Sequence, residues 1–397
     1  MKILFIHNFY QQAGGEDAVV RQEIKLLREE GHQVIEYYRD NKEVNDFSPL
    51  QKAMVPIRAI WSRDTKSKLL AVIQSEKPDV AHIHNTHFMI SPSVYYTLND
   101  LNIPVVQTLH NFRLLCANAI FYRDEQVCQD CLGKTPALPG IQHACYRDSY
   151  AQSAMVTALQ TTHRALHTWE TKIDRYIALT EFSRQQFIQG GLPSEKVVVK
   201  PNFLYDDPGK KIQQRDDFIL FVGRLAPEKG VLDLLEAAKK SPQVPVKIVG
   251  DGPLMDEGQA YIQSHQLENV ELLGRQPSDK VFELMRVARA LVFPSKWFEC
   301  FPMTIGESFA CGLPIIATRL GAMEELIAHE RTGLHFEIGN TDELARQLQS
   351  AYDHPEEMAQ MGNAARQEFE EKYTAPINYQ MIMSIYDDVI AQANQSN

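Results

Sequence analysis

The sequence predicts two doubly wound α/β domains in tandem. Short apolar runs rich in Val and Ile, punctuated by Pro, Gly or Asn, alternate with amphipathic stretches along the chain. A single polar stretch, from Pro201 to Arg215, divides that series into two similar halves. The residues most able to do chemistry fall just after the apolar runs, and doubly wound sheets hold ligands at the carboxyl ends of their strands. A length of 397 residues agrees with two or three domains.

The first strand is read in KILFIHN, which opens on a single Lys and is too short for the core of a secretory leader. After Gly14-Gly15, Asp17 to Glu30 carries Val19, Val20, Ile24, Leu26 and Leu27 on roughly one helical face, and Gly31 stops it. QVIEYY is the next strand. Pro78 introduces DVAHIHN and Pro104 introduces VVQTLHN. Both have the apolar continuity of strands buried on two faces. KIDRYIALT and KVVVKPN close the first series. The second runs FILFVGR, a helix over Val231–Lys240, VKIVGDG, VELLG, a helix near 278–288, ALVFPS, a helix near 304–311, PIIAT and GLHFE, followed by helical stretches. Alternation of this kind predicts parallel sheets with helices on both faces, and two such domains face to face make a cleft.

Composition narrows the function. At 44% hydrophobic and 23% charged the chain is of ordinary globular make-up. No run approaches the ~18 apolar residues of a membrane span, so a cytoplasmic protein is expected. Net charge is −11, with +1 in residues 1–200 and −12 in the remainder. An acidic half does not suit nucleic acid, whose phosphates call for clustered cations.

The richest motif is Trp297-Phe298-Glu299-Cys300-Phe301-Pro302-Met303-Thr304-Ile305-Gly306-Glu307. Glu299 lies in the loop after the ALVFPS strand, and Glu307 about one turn into the next helix. Both are able to face one pocket, where they would hold sugar and ribose hydroxyls. The helix start between them offers unpaired N–H groups to a phosphate. Spacing alone also fits two solvated glutamates. Gly223-Arg224-Leu225-Ala226-Pro227-Glu228-Lys229-Gly230 follows a strand, and its Arg and Lys are suited to clamp a diphosphate.

Together these elements resemble the retaining, nucleotide-sugar-dependent glycosyltransferases of family 4 (group 1). The family pattern of Glu, seven residues, Glu, then Ala/Ser-x-Ala-x-Gly-x-Pro is present from Glu299 through Glu307 and Ser308 to Pro314, and the GR-x-x-x-x-KG element is intact at 223–230. The resemblance covers nearly the whole chain. It implies the GT-B fold: two Rossmann-like domains facing a deep interdomain cleft, with residues 1–200 on the acceptor side and 201–377 binding the donor. A C-terminal helix over about 378–397 would pack back on the first domain. It further implies that Arg224, Lys229 and a helix dipole take up diphosphate charge as the sugar–phosphate bond breaks, with Glu299 completing the catalytic set. VGDGP, with Gly250, looks like the family's short glycine loop. LLGR, ending in Arg275, looks like the strand end beside the base. Glycine often follows the first glutamate in the family. Here Cys300-Phe301-Pro302 stands there and narrows the donor loop.

In the first half, Ala13-Gly14-Gly15-Glu16 occupies the place of the family's phosphate-facing glycine loop; an ordinary strand-to-helix turn is the alternative. His110, in Thr108-Leu109-His110-Asn111, takes the family's strand-end histidine role facing the donor sugar, with His84 its competitor. The implied partners are a UDP- or GDP-sugar donor and a sugar or lipid-linked acceptor in polysaccharide or glycolipid synthesis, without a catalytic metal. The alternatives are a nucleotide-sugar epimerase on the same fold and a non-catalytic nucleotide-sugar-binding subunit.

Two further features stand apart. Cys116, Cys128, Cys131 and Cys145 have the spacing C-x11-C-x2-C-x13-C in a loop rich in Pro and Gly. Four thiolates suit a structural zinc, with His143 able to replace Cys145; free thiols and disulfides remain open. Residues 52–77 hold Lys52, Arg58, Arg63, Lys66, Lys68 and Lys77 with interleaved Ile57, Ile60, Trp61, Leu69 and Leu70. A basic amphipathic helix there would lie on the inner face of an anionic membrane, or present a solvated face and pack its apolar side on the core.

Overall fold

The computed structural model describes residues 1–11, 14–209 and 215–396. Ala13 of the expected glycine loop, residues 210–214 of the expected linker and Asn397 of the expected last helix lie outside the described residues. The chain divides into two units. The first comprises Met1–Ile120, Gln129–Tyr205 and Ala375–Asn397, the second Phe121–Cys128 and Asp206–Thr374.

The strands of the first unit are β1 (Lys2–Phe9), β2 (Gln33–Asp40), β3 (Val80–Asn85) and β4 (Val105–Leu109). A small antiparallel hairpin, β5 (Tyr122–Arg123) and β6 (Gln126–Val127), comes next in the chain and belongs to the second unit. β7 (Arg175–Ala178) and β8 (Val197–Val199) complete the first sheet, ordered β2-β1-β3-β4-β7-β8 with every pair parallel. β3 and β4 are buried along their whole length, as the continuous apolar runs require. The second unit's sheet runs β11 (Val270–Gly274), β10 (Val246–Val249), β9 (Ile219–Val222), β12 (Ala290–Phe293), β13 (Ile315–Thr318), β14 (Gly333–Phe336), again all parallel.

In each sheet the connections change direction once, between β1 and β3 in the first and between β9 and β12 in the second. The loops leaving neighbouring strands diverge there and open a crevice. The second unit's core is built on Ile219, Phe221, Leu234, Ile248, Val292 and Leu348. In the first unit Ile3, Phe5, Val20 and Val106 pack with Ile382, Ile385, Tyr386 and Val389 of the last helix, Ala375–Ser396.

Residues 52–77 do not form one basic amphipathic helix. Pro56 and the Trp61–Ser62 break divide the region into Pro49–Ala53, Val55–Ile60 and Arg63–Glu76. In the last of these, Leu69 and Ile73 face the core. Its Lys66 and Lys68 pair with Asp100 and Asp64. The cysteine segment, read as loop, contains the hairpin and a short helix, Leu138–Gln142.

Candidate active site

The second unit brings Arg224, Lys229 and Glu299 onto adjoining loops at the switch point of its sheet, whereas Arg275 follows the edge strand β11. The Gly223–Gly230 loop leaves β9, and the loop carrying Glu299 leaves the adjacent β12. Gly230 sits at φ +69°, and a Cβ there would lie 2.0 Å from the carbonyl oxygen of Pro294. Only glycine lets the two loops touch. Gly250, at φ +148°, approaches Gly223 in the same way, with 1.8 Å between a built Cβ and its carbonyl oxygen.

Lys229 Nζ lies 2.5 Å from Glu299 Oε1. The same oxygen accepts from Trp297 Nε1 at 2.7 Å and from Ser295 Oγ at 3.1 Å. Lys229 also stands 5.0 Å from the centre of the Trp297 ring and 5.6 Å from that of Phe293. One ammonium is thus held by a carboxylate and two aromatic faces. The helix Met303–Ala310 begins after Pro302 without a side-chain cap; Ile305 N–H donates to the Pro302 carbonyl at 3.0 Å, and the N–H groups of Met303 and Thr304 are those a helix start leaves without an intrahelical acceptor, able to meet an anion. Glu307 is partly buried, and desolvation pushes its carboxyl up to about 7. Arg224 and Arg275 are exposed and have no side-chain partner among the described residues. Cys300 and Phe301 are buried, and Phe301 packs against Tyr373 with ring centres 5.4 Å apart. The Phe301 ring therefore lies in the core.

The first unit assembles a second cluster from the ends of β1, β3 and β4. Gly14, exposed and extended, precedes the helix Gly15–Glu29, and its N–H donates to Asp17 Oδ2 at 3.3 Å. A Cβ at Gly14 would meet nothing within 4 Å. His110 is hydrogen-bonded through Nε2 to His84 Nδ1 at 2.8 Å, so the two histidines weighed as competitors are partners. Burial, with His7 and Lys200 nearby, drives His110 down to about 3 and keeps its ring neutral at physiological pH. Sequence reasoning missed the residues around it. Asn111 Nδ2 donates to Tyr10 Oη at 3.2 Å and to Glu16 Oε2 at 3.3 Å. Burial pushes Glu16 up to about 8. Glu16 and Asn111 are 95 positions apart, so no local pattern could pair them. A cavity of about 350 Å³ opens nearby, walled by Tyr10, Val55, Phe88, Tyr146 and Met155, with Lys52 also in its lining.

Cys116 and Cys131 are buried, Cys128 and Cys145 half-buried. Cys116, Cys131 and Cys145 belong to the first unit, and Cys128 to the hairpin segment grouped with the second.

Comparison with known proteins agrees with this construction. Sucrose-phosphate synthase of Thermosynechococcus elongatus superposes with a TM-score of 0.74 at 17% identity, covering 98% of this chain and 99% of that one. HepE of Anabaena, solved in complex with UDP, gives 0.69 at 18%, covering 98% and 100%. These likenesses establish a GT-B fold of two Rossmann-like, parallel-sheet domains. Residues 13–207 match the model of Glycosyltransferase Family 4, and residues 206–368 that of Glycosyl transferases group 1. An uncharacterised glycosyltransferase of Methanocaldococcus jannaschii is 26% identical, over 98% of this chain and 99% of its own. The N-acetyl-alpha-D-glucosaminyl L-malate synthase of Bacillus anthracis is 25% identical, over 98% of each. The chain belongs to the group 1 glycosyltransferases of the family 4 type. The epimerase alternative finds no support in these relatives.

Proposed function

We propose that this glycosyltransferase is a retaining hexosyltransferase, moving a sugar from a UDP- or GDP-sugar to a hydroxyl of a sugar or lipid-linked acceptor in polysaccharide or glycolipid synthesis. The observation that carries the reading is the second unit's switch-point cluster. It sets Lys229, held by Glu299, and exposed Arg224 on loops next to the one leading to the uncapped start of Met303–Ala310. That set matches the charge of a departing nucleoside diphosphate. The bond from the anomeric carbon to the diphosphate oxygen breaks, the acceptor oxygen bonds the same carbon from the same face, and the acceptor's proton passes to the departing phosphate. HepE, whose fold this chain shares, is solved with UDP and with UDP-glucose, which supports a nucleotide-sugar donor.

In the first unit we assign His110 to a substrate hydroxyl and Gly14 and Gly15 to the phosphates. The four cysteines are proposed as ligands of a structural zinc. Exposed Leu50, Met54 and Ile57, flanked by Lys52 and Arg58, are proposed to touch the cytoplasmic face of an anionic membrane. Among the described residues no helix is long and apolar enough to cross one.

Incubation with UDP- and GDP-sugars and hydroxyl acceptors tests the reaction. Nucleoside diphosphate should appear together with a glycoside that keeps the donor's anomeric configuration by NMR. An inverted product would overturn retention.

A further inference from the structure

Behind His110 the first unit buries a charged network that the transfer reaction alone does not call for. Glu23, on the helix Gly15–Glu29, has no exposed surface, and its Oε1 holds the ammonium of Lys200 at 2.7 Å. Lys200 is itself 1% exposed. The other oxygen, Oε2, has no hydrogen-bond partner among the described residues, and neither has His84 Nε2. The two face each other at 3.3 Å. On its far side the His84 ring meets His110, Nδ1 to Nε2, at 2.8 Å. His82, on the same face of β3, is hydrogen-bonded through Nδ1 to Tyr386 Oη at 2.7 Å and through Nε2 to Thr108 Oγ1 at 2.8 Å, and its Nδ1 stands 3.9 Å from Glu23 Oε2, farther than His84 does.

The grouping of Glu23, His82 and His84 has the spacing of a metal site. Lys200 argues against one, because its ammonium already supplies the positive charge on Glu23 and a cation beside it would be repelled. What the arrangement does supply is direction. The contact falls short of hydrogen-bond geometry, yet charge decides the tautomer: a proton on His84 Nε2 is attracted by the Glu23 carboxylate 3.3 Å away, and a lone pair there would be repelled by it. Burial first, then His82, His110, His7 and Lys200 nearby, holds His84 well below its ordinary range, so its ring is neutral; with the hydrogen on Nε2, its Nδ1 is an acceptor. His110 must then donate from Nε2.

We infer that Glu23 is a positioning residue for the transfer: acting through His84, it fixes His110 as the Nε2–H tautomer, so that His110 offers Nδ1 as an acceptor for a substrate hydroxyl. This rests on the proposed role of His110 at the substrate. It also states what kind of contact that is: the imidazole takes a hydroxyl proton in a hydrogen bond, and does not donate to a sugar oxygen.

The test uses full-length protein labelled with ¹⁵N-histidine, His84 and His110 being assigned from the variants His84→Asn and His110→Gln. The expected spectrum at neutral pH, without substrate, shows both rings protonated at Nε2. Glu23→Leu combined with Lys200→Leu removes acceptor and cation together and leaves no unpaired buried charge. In that variant His110 should become a mixture of tautomers. kcat should fall on the order of 10–100-fold, the usual cost of losing an outer partner of an oriented imidazole, with donor KM nearly unchanged. If the double variant does not fold, the comparison of His84→Asn with His84→Leu decides. The Asn amide oxygen can stand in for Nδ1, so it should keep the His110 tautomer and most of the turnover that Leu loses. An Nδ1–H tautomer of His110 in the wild-type protein overturns the inference, as does a tautomer and kcat unmoved by loss of Glu23 or by His84→Leu. The transfer reading fails on a separate observation, absence of product with every donor, while the tautomer stays measurable.

Discussion

Lys229 and Glu299 show how one residue's role depends on its holder. Lys229→Ala removes the charge proposed to meet the leaving diphosphate, and turnover should fall on the order of 10²–10³, as loss of a transition-state contact does. Arg224→Ala should cost a similar factor. Initial rates at saturating donor check both, and wild-type rates in the pair would remove the diphosphate clamp. Glu307→Ala should weaken donor binding, read as a larger Kd by calorimetry with UDP or GDP. Glu307 also makes a pH prediction. Its carboxyl rises from 4.5 to about 7 on folding, so the native state prefers it protonated. That preference stabilises fully below about 4.5 and is lost as pH rises through about 7. Glu307→Gln stays neutral throughout, so its Tm relative to wild type should climb across that window; a difference flat with pH would show that Glu307 is not desolvated. At this scale the sequence revealed the residues that lie close together in the chain, such as Glu299 and Glu307 on one loop and helix. It did not reveal Glu23, Tyr10 or Glu16 as parts of the His110 cluster, because their partners are 61 to 101 positions away along the chain and only the sheet brings them together.

The strands are legible because buried parallel strands are written as short apolar runs, continuous in β3 and β4 and interrupted in the edge strands β2 and β11. Helices with one clear apolar stripe, such as Val231–Lys240, were equally plain. The 52–77 region was not, since its cations and apolar residues mix at a helical period while Pro56 and Ser62 cut the helix. The structure separates buried Leu69 and Ile73 from exposed Met54 and Ile57 at the region's amino end, which continue a row begun by Leu50. If that row meets a membrane, sedimentation with phosphatidylglycerol vesicles should carry the protein down, and Leu50→Glu with Ile57→Glu should leave it in the supernatant. The cysteine segment carries its own expectation. Purified protein should contain about one zinc per chain, as a closed four-thiolate site demands. Cys128→Ser should lower that count and open residues 112–147 to protease. Metal-free protein with an unchanged digest would dismiss the zinc.

For the molecule as a whole, the proposed reaction puts the leaving group's charge on protein groups. Activity should therefore persist in EDTA over the time of an assay, and a fast, Mg²⁺-reversible loss would contradict that. The alternation of strand and helix made the two-sheet architecture readable, whereas the grouping of Phe121–Cys128 with the second unit was not, because nothing in a short polar hairpin says which body it joins.

The helix Ala375–Ser396 gives the chain a particular order of birth. Ile382, Tyr386 and Val389 close the core around β1 and β3, and the Tyr386 hydroxyl anchors His82. The ribosome delivers these residues after the entire second unit. The part of the protein that begins first is therefore finished last. During synthesis that face of the nascent first sheet has the helix Gly15–Glu29 but lacks its last partner while the second unit is already able to fold, a reversal of the usual progress from the amino end. A chain ending at Thr374 should leave that face exposed and aggregate, although it contains every residue proposed here to touch a substrate.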